Sequence, residues 1–132
     1  YKATLSKYMN WVAGSPNAIE RGGHVVVVNG KGVIDETMTG AVSSLVSSSN
    51  LFGDKVTVVT TTTGTHEAKV STRATDLLVG KGVNLGQILQ TLSVKHGGVG
   101  GGHAIAAGAT IPENKLASFI VDLKATVDEV LG

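Results

Sequence analysis

Four valines in succession, Val25 to Val28, closed by Asn29-Gly30, constrain this chain more than any other stretch. A run so short, so β-branched and so free of polar residues puts apolar side chains on both sides of an extended backbone. It therefore predicts a strand buried on both faces. A sheet covered on one side only would leave half of those valines in water. Helices must lie above and below it, and the chain has to supply them.

It does so around the valines. Leu5, Tyr8, Met9 and Val12 fall at helical spacing until Gly14-Ser15-Pro16 stops the pattern. Asp35 is placed to cap a second helix, whose Met38, Val42, Leu45 and Val46 form one apolar stripe. Asn84 followed by Gln87 resembles a capping box and opens a third helix with Leu85, Ile88, Leu89 and Leu92. Leu116, Phe119, Ile120, Leu123, Val127 and Val130 line one side of a C-terminal helix. Between these lie β-rich runs. Lys55 to Thr63 and His66 to Thr75 flank Gly64-Thr65, which predicts a hairpin with a two-residue turn and glycine first. In its second strand a period of two puts Glu67, Lys69, Ser71 and Arg73 on one face and Ala68, Val70, Thr72 and Ala74 on the other. Ala104 to Ile111 reads as a further strand stopped by Pro112. The order is helix, strand, helix, strand, strand, helix, strand, helix. The expected fold class is α/β, a single domain with a mixed β-sheet packed by helices. Residues 1–23 are expected to be an N-terminal helix and linker, and residues 24–132 the domain proper.

Composition narrows the functions. At 132 residues the chain has room for one core. Its net charge of +1 excludes a broad basic field that would hold a duplex by charge alone, so any phosphate binding must be local. The absence of cysteine excludes a disulfide scaffold, a thiolate nucleophile and a Cys-ligated zinc site, and fits a reducing compartment; a cytoplasmic location is the expectation. No apolar run approaches the ~20 residues of a membrane helix, so no membrane partner is expected. The start at Tyr1, without a signal-peptide pattern, is read as that of a fragment whose N-terminal partner domain lies upstream.

The densest chemical signal is Gly97-Gly98-Val99-Gly100-Gly101-Gly102-His103, five glycines in six positions and then an imidazole. Such a run lets consecutive backbone N–H groups converge on an anionic oxygen, with His103 adding a donor. A flexible connection with a surface histidine has the same composition. No Gly-Lys-Ser or Gly-Lys-Thr tripeptide exists for a Walker loop, and glycines that follow a helix and precede a strand do not fit a dinucleotide fingerprint. Arg73, one of two arginines, sits beside Ser71 on the polar face; its fork suits a phosphate or a base. The alternative is a solvated face on which Glu67 pairs with Lys69 or Arg73. His24, His66 and His96 have structural roles to fill, His96 at a helix end keeping a minor claim on the glycine site. No His or carboxylate spacing suggests a metal centre.

Gly100-Gly101-Gly102-His103-Ala104-Ile105-Ala106-Ala107-Gly108 resembles the Gly-Gly-Gly-His-x-x-Ala-Ala-Gly signature of the DHH-associated domain, the C-terminal module of DHH-superfamily phosphoesterases. Val70-Ser71-Thr72-Arg73 is similar to its Ser-x-Arg strand, and the likeness runs from about Val25 to Leu131. Within the superfamily, archaeal RecJ-like exonucleases specific for single-stranded DNA look closest. The resemblance implies a DHH-associated domain fold and a two-domain parent whose N-terminal DHH domain carries a manganese or magnesium centre for phosphodiester hydrolysis. No Asp-His-His occurs in this chain, so the fragment itself is expected to be inactive and without a cofactor. The implied site is Gly100, Gly101, Gly102 and His103 on one phosphate, with Ser71 and Arg73 on a neighbouring phosphate or base. The implied partners are single-stranded nucleic acid or a short oligonucleotide, the DHH domain of the same chain, and replication or repair proteins. Relatives acting on oligonucleotides, pAp or cyclic dinucleotides, and a non-catalytic scaffold module, are the alternatives.

Overall fold

The computed structural model describes residues 1–132. Helix α1 (Lys2–Ala13) leads into strands β1 (Ile19–Gly22) and β2 (Val25–Asn29), then α2 (Thr39–Ser48), β3 (Val56–Thr62), β4 (Glu67–Arg73), the single-turn α3 (Asp76–Gly80), α4 (Leu85–Lys95), β5 (Val99–Gly102), β6 (Ala106–Pro112) and α5 (Leu116–Leu131). The six strands form one mixed sheet in the order β1-β2-β3-β4-β6-β5. Only β2 and β3 pair in parallel, and α2 is the crossover that such a pair requires. This is the expected α/β class. No helix is long and apolar enough to cross a membrane.

The valine run behaves as its composition demands. Val25 and Val27 enter a core with Val56, Val58, Val70 and Ile111 beneath α4 and α5, where Leu85, Leu89, Phe119 and Leu123 are fully buried. Val28 enters a second core with Val59, Val12, Val42, Val46 and Ile34 beneath α1 and α2.

Several local expectations differ from the structure. Residues 19–22, read as part of a linker, form the edge strand β1, and its turn into β2 is a two-residue one at Gly23-His24, with φ +54° at Gly23. Asp35 does not cap α2, whose N-cap is Met38. Its carboxylate instead accepts the Thr37 N–H and hydroxyl at 2.8 and 2.6 Å, closing a turn ahead of the helix. The β3–β4 turn is longer than two residues: Thr63 N–H bonds Glu67 O, and the left-handed position is His66 (φ +61°) rather than Gly64. A three-residue hairpin loop ends on such a residue. Asn84 does cap α4, its side chain accepting the Gln87 N–H at 3.2 Å.

Candidate functional site

Antiparallel pairing places directly opposite residues on the same face of a sheet. Arg73 of β4 lies opposite Ala106 of β6. Ala106 in turn exchanges both backbone hydrogen bonds with His103, at 2.8 and 3.2 Å. The register thus brings Arg73, Ala106 and His103 into one row on one face, the two candidate side chains two inter-strand steps or roughly 10 Å apart. The next row is Ser71, Gly108 and Gly101, and the one after it Lys69, Thr110 and Val99.

This face is open. α2 covers β3 and β4, while α4 packs on the opposite side of β5 and β6. Ala106, Gly108 and Thr110 are accordingly half-buried, and Val99 is 72% exposed. The floor between Arg73 and His103 consists of small residues and main chain.

The turn that presents His103 is held from two sides. Leu85 N–H, at the start of α4, donates to Ala104 O at 2.9 Å, and Ala74 N–H, just past β4, donates to Ile105 O at 2.8 Å. α4 can approach because residue 86 is glycine: a Cβ there would lie 2.5 Å from Gly102 O. Gly102 itself has φ +146°, where a Cβ would meet Ala106 O at 2.7 Å. The glycine run is therefore neither a flexible connection nor a nest of converging amides. It is an edge strand. Because His103 and Ala106 form a hydrogen-bonded pair, alternation along the ladder directs the N–H groups of Gly100 and Gly102 away from β6, along the free edge, while Gly101 pairs inward.

The remaining site candidates separate. Arg73 is half-buried and takes part in none of the four ion pairs of the chain. Glu67, its expected partner on a merely solvated face, accepts instead from the Thr65 hydroxyl. His103 is exposed. Ser71 is differently employed: its hydroxyl donates to Thr39 Oγ1 at 2.9 Å, and Thr39 donates onward to Glu36 O. The Ser71 proton is thus used in docking the first turn of α2 on β4. His96 has no place at the glycines. It is buried, its Nε2 donates to Asp122 at 2.7 Å, and its ring meets Phe119 edge-on.

One residue of this face went unclaimed. Lys69 is half-buried, points the same way as Arg73 and has no ion-pair partner. The period of two in β4 already placed it there. It acts at a distance on Asp35, whose carboxyl is held below the usual range chiefly by the Thr37 hydroxyl and N–H, with Lys69 a minor contributor.

Residues 22–129 match the family described as the DHHA1 domain. An uncharacterized protein of Methanocaldococcus jannaschii, MJ0831, is 37% identical over 65 residues, which is 49% of this chain and 14% of that protein. Among solved structures, RecJ from Thermus thermophilus in complex with Mg2+ superposes with a TM-score of 0.65 at 15% identity, covering 97% of this chain and 18% of RecJ. The C-Ala domain of Aquifex aeolicus alanyl-tRNA synthetase superposes at 0.61 with 14% identity, covering 86% of this chain and 98% of that domain. At these identities the structural likeness is one of fold.

Proposed function

This chain belongs to the DHHA1 domain family, and from that membership we propose that it is the nucleic-acid-binding C-terminal module of a RecJ-like exonuclease specific for single-stranded DNA. In this proposal a DHH domain of the same polypeptide carries out metal-dependent hydrolysis and this module positions the strand. The observation that carries the proposal is the shared row of Arg73 and His103, which starts beside α2, runs across the uncovered floor of β6 and has no acid in an ion pair with the guanidinium.

The chemistry follows from what each group can donate. A phosphate at the sheet edge accepts from the outward Gly102 N–H and from the His103 ring, while the Gly100 N–H faces the same edge two residues along. Gly101 serves by letting the ligand approach bare backbone. Arg73, two strands further in, forks onto a neighbouring phosphate or lies flat on a base. Ser71 acts indirectly, by fixing α2 against β4 so that the wall beside Arg73 stays in place. These groups supply positioning and charge stabilisation. No three His, Asp or Glu side chains lie close enough to hold a metal ion, and the proposal assigns no hydrolytic step to the residues of this chain.

The test is Arg73→Ala and His103→Ala in the protein carrying both domains, assayed on a 5′-phosphorylated single strand. A raised KM or lowered kcat with unchanged thermal unfolding supports the assignment. Kinetics unchanged in both variants would remove it.

A further inference from the structure

The open face extends beyond the row of Arg73 and His103. Along β4 the same face carries Ser71 and then Lys69, four residues from Arg73 and therefore roughly 13 Å away. Between the two cations the floor is Gly108 and Thr110 of β6, with Gly101 and Val99 of β5 outside them. No charged side chain of β5 or β6 interrupts it. The turn at residues 35–37 borders the far end, where the Asp35 carboxylate is already engaged by Thr37 and leaves Lys69 without an ion pair.

We infer that Lys69 is a second phosphate-binding cation of this face, so that the bound strand lies along β6, beside the half-buried cations of β4, and at least three nucleotides are needed to engage both ends. This inference rests on the proposed function and adds to it the length class of the substrate. At ~3.4 Å per stacked nucleotide the span from Arg73 to Lys69 corresponds to about four nucleotides, fewer if the strand is stretched. A dinucleotide held at Arg73 and His103 ends short of Lys69. The small floor residues leave room for sugars and bases, and the exposed Val99 side chain offers an apolar contact at the far end.

The experiment is a titration of this 132-residue chain with a 5′-phosphorylated dinucleotide and a pentanucleotide over a range of salt, for the wild type, Lys69→Gln, Lys69→Ala and Arg73→Ala. Loss of one phosphate contact should weaken pentanucleotide binding in both Lys69 variants by roughly three- to ten-fold at low salt and flatten the salt slope by ~0.7, while dinucleotide affinity is unchanged. Arg73→Ala should weaken both ligands. If the Lys69 variants bind the pentanucleotide as the wild type does, or lose affinity equally for both lengths, the inference is overturned and the proposed function stands. If Arg73→Ala also has no effect, or the wild type binds neither ligand, both fall together.

Discussion

Strands β6 and β5 show one face to a sealed core and the other to solvent, with β4 beside them half-covered by α2 on that second face, and the two faces solve different problems with the same backbone. On the sealed side Ala68, Val70, Ala109 and Ile111 lie under α4 and α5, with Phe119, Leu89 and Leu123 filling the space between. On the open side Lys69, Ser71 and Arg73 look across Ala106, Gly108 and Thr110 toward His103. In the proposed function most of the stability resides on the first face and ligand binding on the second. A substitution on one should therefore leave the other property nearly intact, and this separation is what mutations can break.

The largest effect is expected at the centre of the sealed face. Phe119→Ala removes a fully buried ring and should cost about 3–5 kcal/mol in denaturant unfolding, with affinity for single strands preserved wherever the variant remains folded. Gly86→Ala probes the seam where the two properties meet. Helix propensity favours the substitution by ~1 kcal/mol. The new Cβ, however, would press on Gly102 O at 2.5 Å, a backbone atom that cannot swing aside, and overpacking of this kind costs about 1–3 kcal/mol. Net destabilisation is expected, together with weaker ligand binding, because the edge strand leading to His103 is what must move. Unchanged binding in a stable Gly86→Ala protein would show that the site does not depend on the approach of α4.

How much of this was legible beforehand divides along the same line. The valine strand, the β4 alternation and the α5 stripe announce themselves because buried faces impose a period on apolar residues. The two edge strands do not. Ile19-Glu20-Arg21-Gly22 and Val99-Gly100-Gly101-Gly102 are extended because a neighbouring strand pairs with them, and neither carries an apolar alternation. The glycine run could be singled out as chemically unusual, yet its mode of use as an edge with alternate amides facing outward follows from its pairing with β6. Arg73 and His103 could each be named from local pattern. Their shared row depends on the order β4-β6-β5, a nonlocal pairing that residue spacing does not encode. Ser71 shows the converse: beside Arg73 in sequence it looks like a ligand group, and in space its proton is spent on Thr39.

On the open face the effects are smaller and fall on binding. Arg73→Ala should change stability by no more than about 0.5 kcal/mol while weakening single-strand affinity by about ten-fold, as measured by fluorescence anisotropy beside thermal unfolding. A stability loss as large as that of a core substitution would mean that the guanidinium is structural and that the faces are not separable. Ser71→Ala should do the opposite on a smaller scale, costing about 0.5–1.5 kcal/mol of stability through the lost hydroxyl bond to Thr39. Any loss of affinity should follow only from a shift of α2. If Ser71→Ala weakens binding as much as Arg73→Ala with no loss of stability, the hydroxyl is a ligand group after all.

Behind the sealed face, pH gives the finest test. Asp122 on α5 accepts from Lys95 at 2.9 Å and from His96 at 2.7 Å at the end of α4, and these hydrogen bonds, that of Lys95 foremost, hold its carboxyl below the ordinary carboxylate range. A carboxyl whose pKa is lower folded than unfolded binds fewer protons in the native state. Its contribution is therefore fully present above the unfolded value of about 3.9 and is lost as pH falls through the lower folded value. Thermal unfolding from pH 6 down to pH 2.5 should show the wild type losing stability below pH 4 more steeply than Asp122→Asn, the two curves converging in acid. The single-strand affinity of the two proteins should agree at neutral pH, since Asp122 lies on the face away from Arg73 and His103. Parallel stability curves down to pH 2.5 would mean that the carboxylate does not link α4 to α5, and the rigidity of the helix behind β5 would then need another source.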